Sequence, residues 1–362
     1  MISRFNDIPE SKVTLDQFIN CIGDDWNIVE RSCAEKFIIP EFDSFSAKIK
    51  DMYEECRKNE SGRVADYIPE LANAPPDNWG VSVCSIDGQR LNIGKTDELF
   101  SVQSTSKPIS YAIALEEFGP EKVHNHVGHE PSGVSFNAIS LNPQGLPHNP
   151  LINSGAIMTC SLIKPEMEES QRFSFVTKFW ERMAGGKKIT YDNTIFLSER
   201  NTADTNHALA YLMKSNNAFP KGVDIKSVLE FYFQCCSLQA NTDTMSVIAA
   251  TFANGGVNPL TNERILETST VKEVLSIMNS CGMYDYSGEF AFYVGLPAKS
   301  GVSGGVMIIV PGIMGICTYA PKLDKYGNSD RGVQFCKLIS QKFGLHYFNI
   351  SELDRSEERR VR

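Results

Sequence analysis

Ser104 and Lys107 stand three residues apart in Ser104-Thr-Ser-Lys107, an S-x-x-K spacing. On a helix that spacing puts a hydroxyl and an amine on one face. Pro108 follows and lacks an N–H, so the motif is expected at a helix N-terminus. Free N–H groups and positive dipole character there favour a developing oxyanion. The chemistry of such a pair is nucleophilic. The amine removes the hydroxyl proton, provided burial or nearby positive charge lowers its pKa well below the reference of about 10.4. Alone, the spacing is expected by chance about once in a chain this long, and it then marks a solvated helix start. Lys299-Ser300-Gly301, ahead of an expected strand Gly304–Val310, changes that weighting. Glycines at 301, 304 and 305 would let backbone N–H groups approach a substrate closely.

S-x-x-K followed far downstream by K-[ST]-G is the pattern of serine β-lactamases and penicillin-binding proteins. Their intermediate S-D-N element has no clear match, and Tyr191-Asp-Asn is a poor candidate. Longer strings are more specific. Val102-Gln-Ser-Thr-Ser-Lys-Pro, Glu130-Pro-Ser-Gly, Pro147-His-Asn-Pro-Leu-Ile-Asn-Ser-Gly-Ala-Ile, Cys281-Gly-Met-Tyr-Asp and Gly295-Leu-Pro-Ala-Lys-Ser-Gly-Val closely resemble the animal kidney-type glutaminases. So do Ser198-Glu-Arg and Phe231-Tyr-Phe-Gln, and the likeness runs in order from about Phe37 to about Gly344.

The resemblance implies hydrolysis of L-glutamine to L-glutamate and ammonia through an acyl-enzyme. It implies Ser104 as nucleophile, Lys107 as its base and Tyr284 as a proton relay. It implies Tyr67 as a pocket hydroxyl, with Asn153, Glu199, Asn206 and Tyr232 reading the amino-acid end of glutamine. The backbone N–H groups of Ser104 and Val302 would form the oxyanion hole. These roles suit the residue types. A buried α-ammonium needs a carboxylate such as Glu199, and the α-carboxylate needs the neutral donors that Asn and Tyr supply. The chemistry requires no cofactor or metal; the resemblance implies phosphate as an activator. Read without the resemblance, Asn153 would cap a helix. Glu199 would pair with Arg200 on the surface, and Tyr232 and Tyr67 would be packing aromatics.

Weaker signals point elsewhere. Gly301-Val-Ser-Gly-Gly fits the G-x-S-x-G elbow around Ser303, but that motif needs a strand-to-helix turn and a β-rich run follows. His124, His126 and His129 cluster without supporting carboxylate spacing, so a polar surface is expected rather than a metal site. Cys84 and Cys281 have no evident histidine partner.

The elements that would hold these residues follow from periodicity. Leu15, Phe18, Ile19 and Ile22 recur at helical spacing, then Val29 to Ile38, then Phe45 to Cys56. This predicts a small N-terminal helical bundle over 1–60 without calcium-loop ligands. Trp79 to Ile86 reads as a strand entering a hairpin at Asp87-Gly88, returning over Arg90 to Ile93. A helix from Pro108 to Phe118 should stop at Gly119-Pro120. Residues 130–150 read as a functional loop and 151–280 as mostly helical. Strands are expected over Gly288–Val294, Gly305–Pro311 and Gly315–Tyr319, and a last helix over Ser329–Phe343. Strands at both ends with helices between predict an α+β layout. The resemblance specifies it as a β-lactamase/penicillin-binding-protein-like antiparallel sheet flanked by helices, with a catalytic domain over 61–349; the mixed charges over 350–362 predict a mobile tail.

With 362 residues and a net charge of −9, the chain can bury a sizeable core and is a poor partner for nucleic acid or anionic lipid. No apolar run approaches the roughly 18 residues of a membrane span. The ten cysteines are scattered and read as reduced core residues. No targeting segment is evident in the sequence, and the expected location is mitochondrial or cytoplasmic. The expected partners are L-glutamine and further copies of the chain, as a dimer, tetramer or higher assembly. The resemblance also places the family's mobile active-site loop at 133–150, which packs across a dimer–dimer contact. Where the family has a lysine followed by Leu-Phe-Leu, this chain has Ala138-Ile139-Ser140-Leu141. Two other readings compete: a penicillin-recognising hydrolase, and a catalytically silent regulatory subunit, against which Ser104, Lys107 and Tyr284 all argue by being present.

Overall fold

The structure, a computed structural model, describes residues 14–22, 33, 37–133 and 138–349. Its centre is set by the Asp87-Gly88 turn. Gly88 takes φ +87°, which a glycine adopts at no steric cost, and it closes the hairpin of β1 (Gly80–Ser85) and β2 (Arg90–Gly94). Three late strands complete the sheet: β3 (Ala298–Ser300), β4 (Gly305–Val310) and β5 (Met314–Tyr319). The order is β2-β1-β5-β4-β3, antiparallel throughout, and Val83 stands opposite Ile316 where the two ends of the chain meet.

Both faces of the sheet are covered, which is why β1, β4 and β5 are buried along their whole length. The strand period of two sorts their side chains. Val306, Ile308 and Val310 join a core with Phe335 and Ile339 of the last helix, Asp330–Phe343. Met307 and Ile309 join the larger core of the helical half. Each fully buried side chain of this size contributes about 1.5–3 kcal/mol. On that second face the helix Thr242–Ala253 lies directly on β5. A Cβ on Gly315 would sit 2.0 Å from the Ala250 backbone nitrogen, so only glycine permits the approach. Ser82 and Thr242 hydroxyls tie the same helix to β1 at 2.8 Å.

The last helix starts at Ser329, whose Oγ accepts from Gly332 N–H, and ends at left-handed Gly344. The helix expected over Phe45 to Cys56 spans Phe42–Arg57, and its Phe45, Ile49 and Met52 pack into the same core as Trp79 and the sheet. Ahead of it, Leu15–Ile22 is capped reciprocally by Thr14 and Gln17 and leaves Leu15 and Ile19 exposed. Most of the remaining stretch of the expected bundle, and the tail over 350–362, lie outside the described residues.

One element differs from expectation. Gly288–Val294 is not a strand: Gly288 to Tyr293 lie in the helix Ser287–Tyr293 and Val294 caps its end. Ser287 Oγ accepts from Met283 N–H and donates to Tyr284 O, winding the chain ahead of the helix. Phe290 and Val294, four apart, then face the core while Phe292 is exposed. Among the described residues no helix is long and apolar enough to cross a membrane.

Candidate active site

Phe100–Ser101 pairs with Leu238–Ala240, and the chain then tightens into a 3-10 turn, Gln103–Ser106, before the helix that opens at Lys107. Local bonds fix this turn: Thr105 Oγ1 donates to Val102 O at 2.6 Å and Ser106 Oγ to Gln103 O at 2.7 Å. Pro108 occupies the first helical turn, where its missing N–H costs nothing, and Gly119 at φ +74° breaks the helix as expected. Gln103 sits at φ +47° and Tyr284 at φ +54°, two non-glycine residues in the left-handed region, one adjoining Ser104 and one facing it.

Lys107 is 2% exposed. Burial pulls its amine down to about 8, against the opposing influence of Cys236, Cys160 and Glu199. Its Nζ donates to Asn153 Oδ1 at 2.6 Å. Asn153 lies in the first turn of Asn153–Leu162, but Ile152 is the cap residue and the Asn153 amide serves its neighbours instead. Its Oδ1 also accepts from Tyr232 OH at 3.3 Å, and its Nδ2 donates to Asn206 Oδ1 at 3.1 Å. Burial pushes the Tyr284 phenol above its ordinary value, while hydrogen bonds with the Ser104 side chain and the Val302 backbone pull it back.

Glu199 is 9% exposed and accepts two bonds on Oε1, from Tyr67 OH at 2.7 Å and Gln103 Nε2 at 3.0 Å. Burial raises its carboxyl, and those two bonds and Lys107 hold the rise in check. Tyr67 keeps its ring half exposed and turns its hydroxyl inward; burial and Glu199 push that phenol well up. Arg200 stacks over Phe196, 5.6 Å from the ring centroid.

A cavity of about 450 Å³ opens onto Lys107, Asn153 and Tyr284, with Leu151, Ile152 and Cys281 on its wall. Ser104, Tyr67, Glu199, Asn206, Tyr232 and Val302 are not on that wall. Most join it through the bonds just described: Tyr232 and Asn206 at Asn153, Ser104 and Val302 at Tyr284. Tyr67 and Glu199 connect through Gln103, which adjoins Ser104, and so all nine expected positions fall in one cluster. Chemically it offers a hydroxyl paired with a phenol, a desolvated amine on the same cavity wall as that phenol, and a buried carboxylate beside amide donors. That set can take the acyl group of a small zwitterionic amide onto the hydroxyl and release it to water.

The weaker signals have structural explanations. Ser303 precedes a strand, not a helix. His124 and His129 stack at 4.3 Å between centroids, and His124 bonds Tyr111 and Val127. Asp192 of Tyr191-Asp-Asn caps the helix Asn193–Asn201. Burial pushes the Cys84 thiol up to about 12.

A model of the family described as glutaminase matches residues 62–348. The chain belongs to the glutaminase family. The mitochondrial liver isoform of glutaminase from Mus musculus is 44% identical over 332 residues, which are 92% of this chain and 55% of the mouse protein. A glutaminase from Nostoc sp. is 42% identical over 310 residues, 85% of this chain and 92% of that protein. The chain spans little more than half the length of the animal relatives it matches. Among solved structures, the probable glutaminase ybaS superimposes with a TM-score of 0.80 at 36% identity, covering 84% of this chain and 97% of that one. Mglu in its glutamate form gives 0.77 at 33% identity, covering 84% and 69%.

Two residues of this glutaminase-family site carried no role in the sequence reading. Gln103 links Tyr67 and Glu199, bonding both. Its signal was available only as its position beside Ser104. Lys299 is fully buried, donates to Gly282 O at 3.1 Å and Ser300 O at 2.7 Å, and lies 4.4 Å from the centroid of the Tyr284 ring. The K-S-G spacing flagged it, but nothing local told which ring it would meet.

Proposed function

We propose that this chain hydrolyses L-glutamine to L-glutamate and ammonia through an ester on Ser104. Ser104 Oγ attacks the side-chain amide carbon and its proton passes to neutral Lys107, with Tyr284 relaying between them. The oxyanion forms against the N–H groups of Ser104 and Val302. The proton goes on to the departing nitrogen, which leaves as ammonia. Water then attacks the ester, giving its proton back by the same route, and Ser104 is restored. Glu199 holds the α-ammonium, with Tyr67 and Gln103 keeping its carboxylate ionised. Asn153, Asn206 and Tyr232 hold the α-carboxylate. Every atom transferred comes from substrate, water or these side chains.

The observation that carries the reading is the buried Lys107 amine, brought to about 8 one turn after Ser104, whose hydroxyl is paired with Tyr284. The likeness to Mglu, which has a glutamate form, supports the amino-acid end of the pocket. The proposed assembly is a homo-oligomer, dimer or tetramer, with phosphate as activator. The proposed compartment is mitochondrial or cytoplasmic, the mouse liver isoform being named mitochondrial.

The test is coupled detection of glutamate from glutamine, with asparagine as control. Wild type should release glutamate, while Ser104→Ala and Lys107→Ala lose at least a thousandfold, within the range known for removal of a nucleophile or base. Full activity in Ser104→Ala would overturn the proposal.

A further inference from the structure

Away from that site, a cavity of about 600 Å³ has Arg172 on its wall. Arg172 is 5% exposed. Its Nε donates to Ile163 O at 2.6 Å, and Nη2 donates to Cys160 O. One face of the guanidinium covers the Phe231 ring, 3.9 Å from the centroid. Of five N–H donors, two are bonded to described residues. Among the described residues no carboxylate lies within ion-pair distance of it. The Cys160 and Cys235 thiols lie beside it, and Glu166 and Glu169 act on it only from further away. A buried guanidinium always carries its charge, and a buried charge without a counter-ion is costly.

The rest of the wall fits an anion that has an apolar body. Lys122 and Lys221 are exposed at the rim. Lys122 Nζ rests 4.3 Å from the Phe118 centroid. His126 Nδ1 donates to Ala218 O at 2.7 Å, so its ring is committed to the backbone and gives the anion no bond. Two carboxylates also line the cavity. Asp224 is committed to the backbone N–H groups of Lys226 and Ser227, at 3.3 and 3.2 Å, and Glu166 is exposed. Phe118, Leu162 and Val228 supply the apolar surface.

We propose that this cavity binds a small organic anion, its carboxylate or phosphate against Arg172 and its body among Phe118, Leu162 and Val228. The site is separate from the catalytic one. Arg172 grips the end of the helix Asn153–Leu162 opposite to Asn153, its Cys160 carbonyl lying about 10 Å along the axis at 1.5 Å per residue. The proposal does not rest on the glutamine-hydrolysing reading, and binding alone tests it.

Isothermal titration calorimetry on the full chain would use benzoate, phenyl phosphate and inorganic phosphate as probes. Benzoate or phenyl phosphate should bind, more tightly than inorganic phosphate, and saturating L-glutamate should not displace them. The tighter of the two names the charged group. The double variant Lys122→Glu/Lys221→Glu should weaken binding at least fivefold, and Arg172→Met should abolish it. If Arg172→Met fails to fold by circular dichroism, the exposed double variant still decides. No binding by any probe, equal binding in the double variant, displacement by glutamate, or inorganic phosphate binding as tightly as phenyl phosphate would each overturn the proposal.

Discussion

The base assigned to Lys107 must be neutral to act, and this fixes the sign of a pH profile. Burial brings the amine to about 8. About one molecule in ten then has it neutral near pH 7, and half near pH 8. The rate constant for glutamine should therefore climb with slope near one from pH 6.5 to 7.5 and bend over near pH 8. The climb from pH 7 to 8 should be roughly fivefold. A lysine at its ordinary value would give tenfold per unit with no bend in this window. Tyr284 adds no limb here, because burial moves its phenol upward. The assay is initial glutamate production in constant-ionic-strength buffers, kept below the range where the α-ammonium of glutamine titrates. A flat profile, a rate that falls between pH 7 and 8, or the unbent tenfold climb would refute the reasoning.

Other perturbations have definite outcomes. Tyr67→Phe removes the 2.7 Å bond to Glu199. A bond to a charged group contributes about 1.5–3 kcal/mol, so kcat/KM should fall roughly ten- to hundredfold while circular dichroism is unchanged. An unchanged kcat/KM would remove Tyr67 from the pocket. Gly315→Ala forces a Cβ to within 2.0 Å of Ala250 N. It should lose about 1–3 kcal/mol in urea unfolding as β5 and the helix Thr242–Ala253 separate, and wild-type stability would contradict that packing. Ser140, whose Oγ is 3.5 Å from His148 Nε2, stands where the family resemblance implies an aromatic. Ser140→Phe adds on the order of 2 kcal/mol of apolar contact per copy. Light scattering across a concentration series, with and without phosphate, should show larger assemblies at lower concentration; identical behaviour would discard the idea.

Local signals were readable where one residue's chemistry decides the backbone. Asp87-Gly88 announced a hairpin, Gly119-Pro120 a helix break, and the last helix expected over Ser329–Phe343 spans Asp330–Phe343. The Ser104 turn was legible for the same reason, through Pro108 and the S-x-x-K spacing. Gly288–Val294 was not, because a short apolar run has no period long enough to separate strand from helix. The turn ahead of it is decided by the Ser287 hydroxyl, which composition does not show. Phe42–Arg57 is amphipathic by sequence, but only tertiary contacts reveal that its partner is Trp79 and the sheet. The meetings of Gln103 with Glu199 and of Lys299 with the Tyr284 ring join residues 96 apart in one case and on separate elements in the other. Spacing rules reach one or two turns, so neither could be read in advance.

The central claim is a covalent glutamyl ester on Ser104, formed with the help of a deprotonated amine. Rapid acid quench of the enzyme turning over glutamine, followed by intact-mass and peptide mass spectrometry, tests it directly. The account predicts a glutamyl increment confined to the peptide bearing Ser104, present in wild type and missing in Ser104→Ala. Turnover with an increment on another residue, or the same increment in Ser104→Ala, would contradict it.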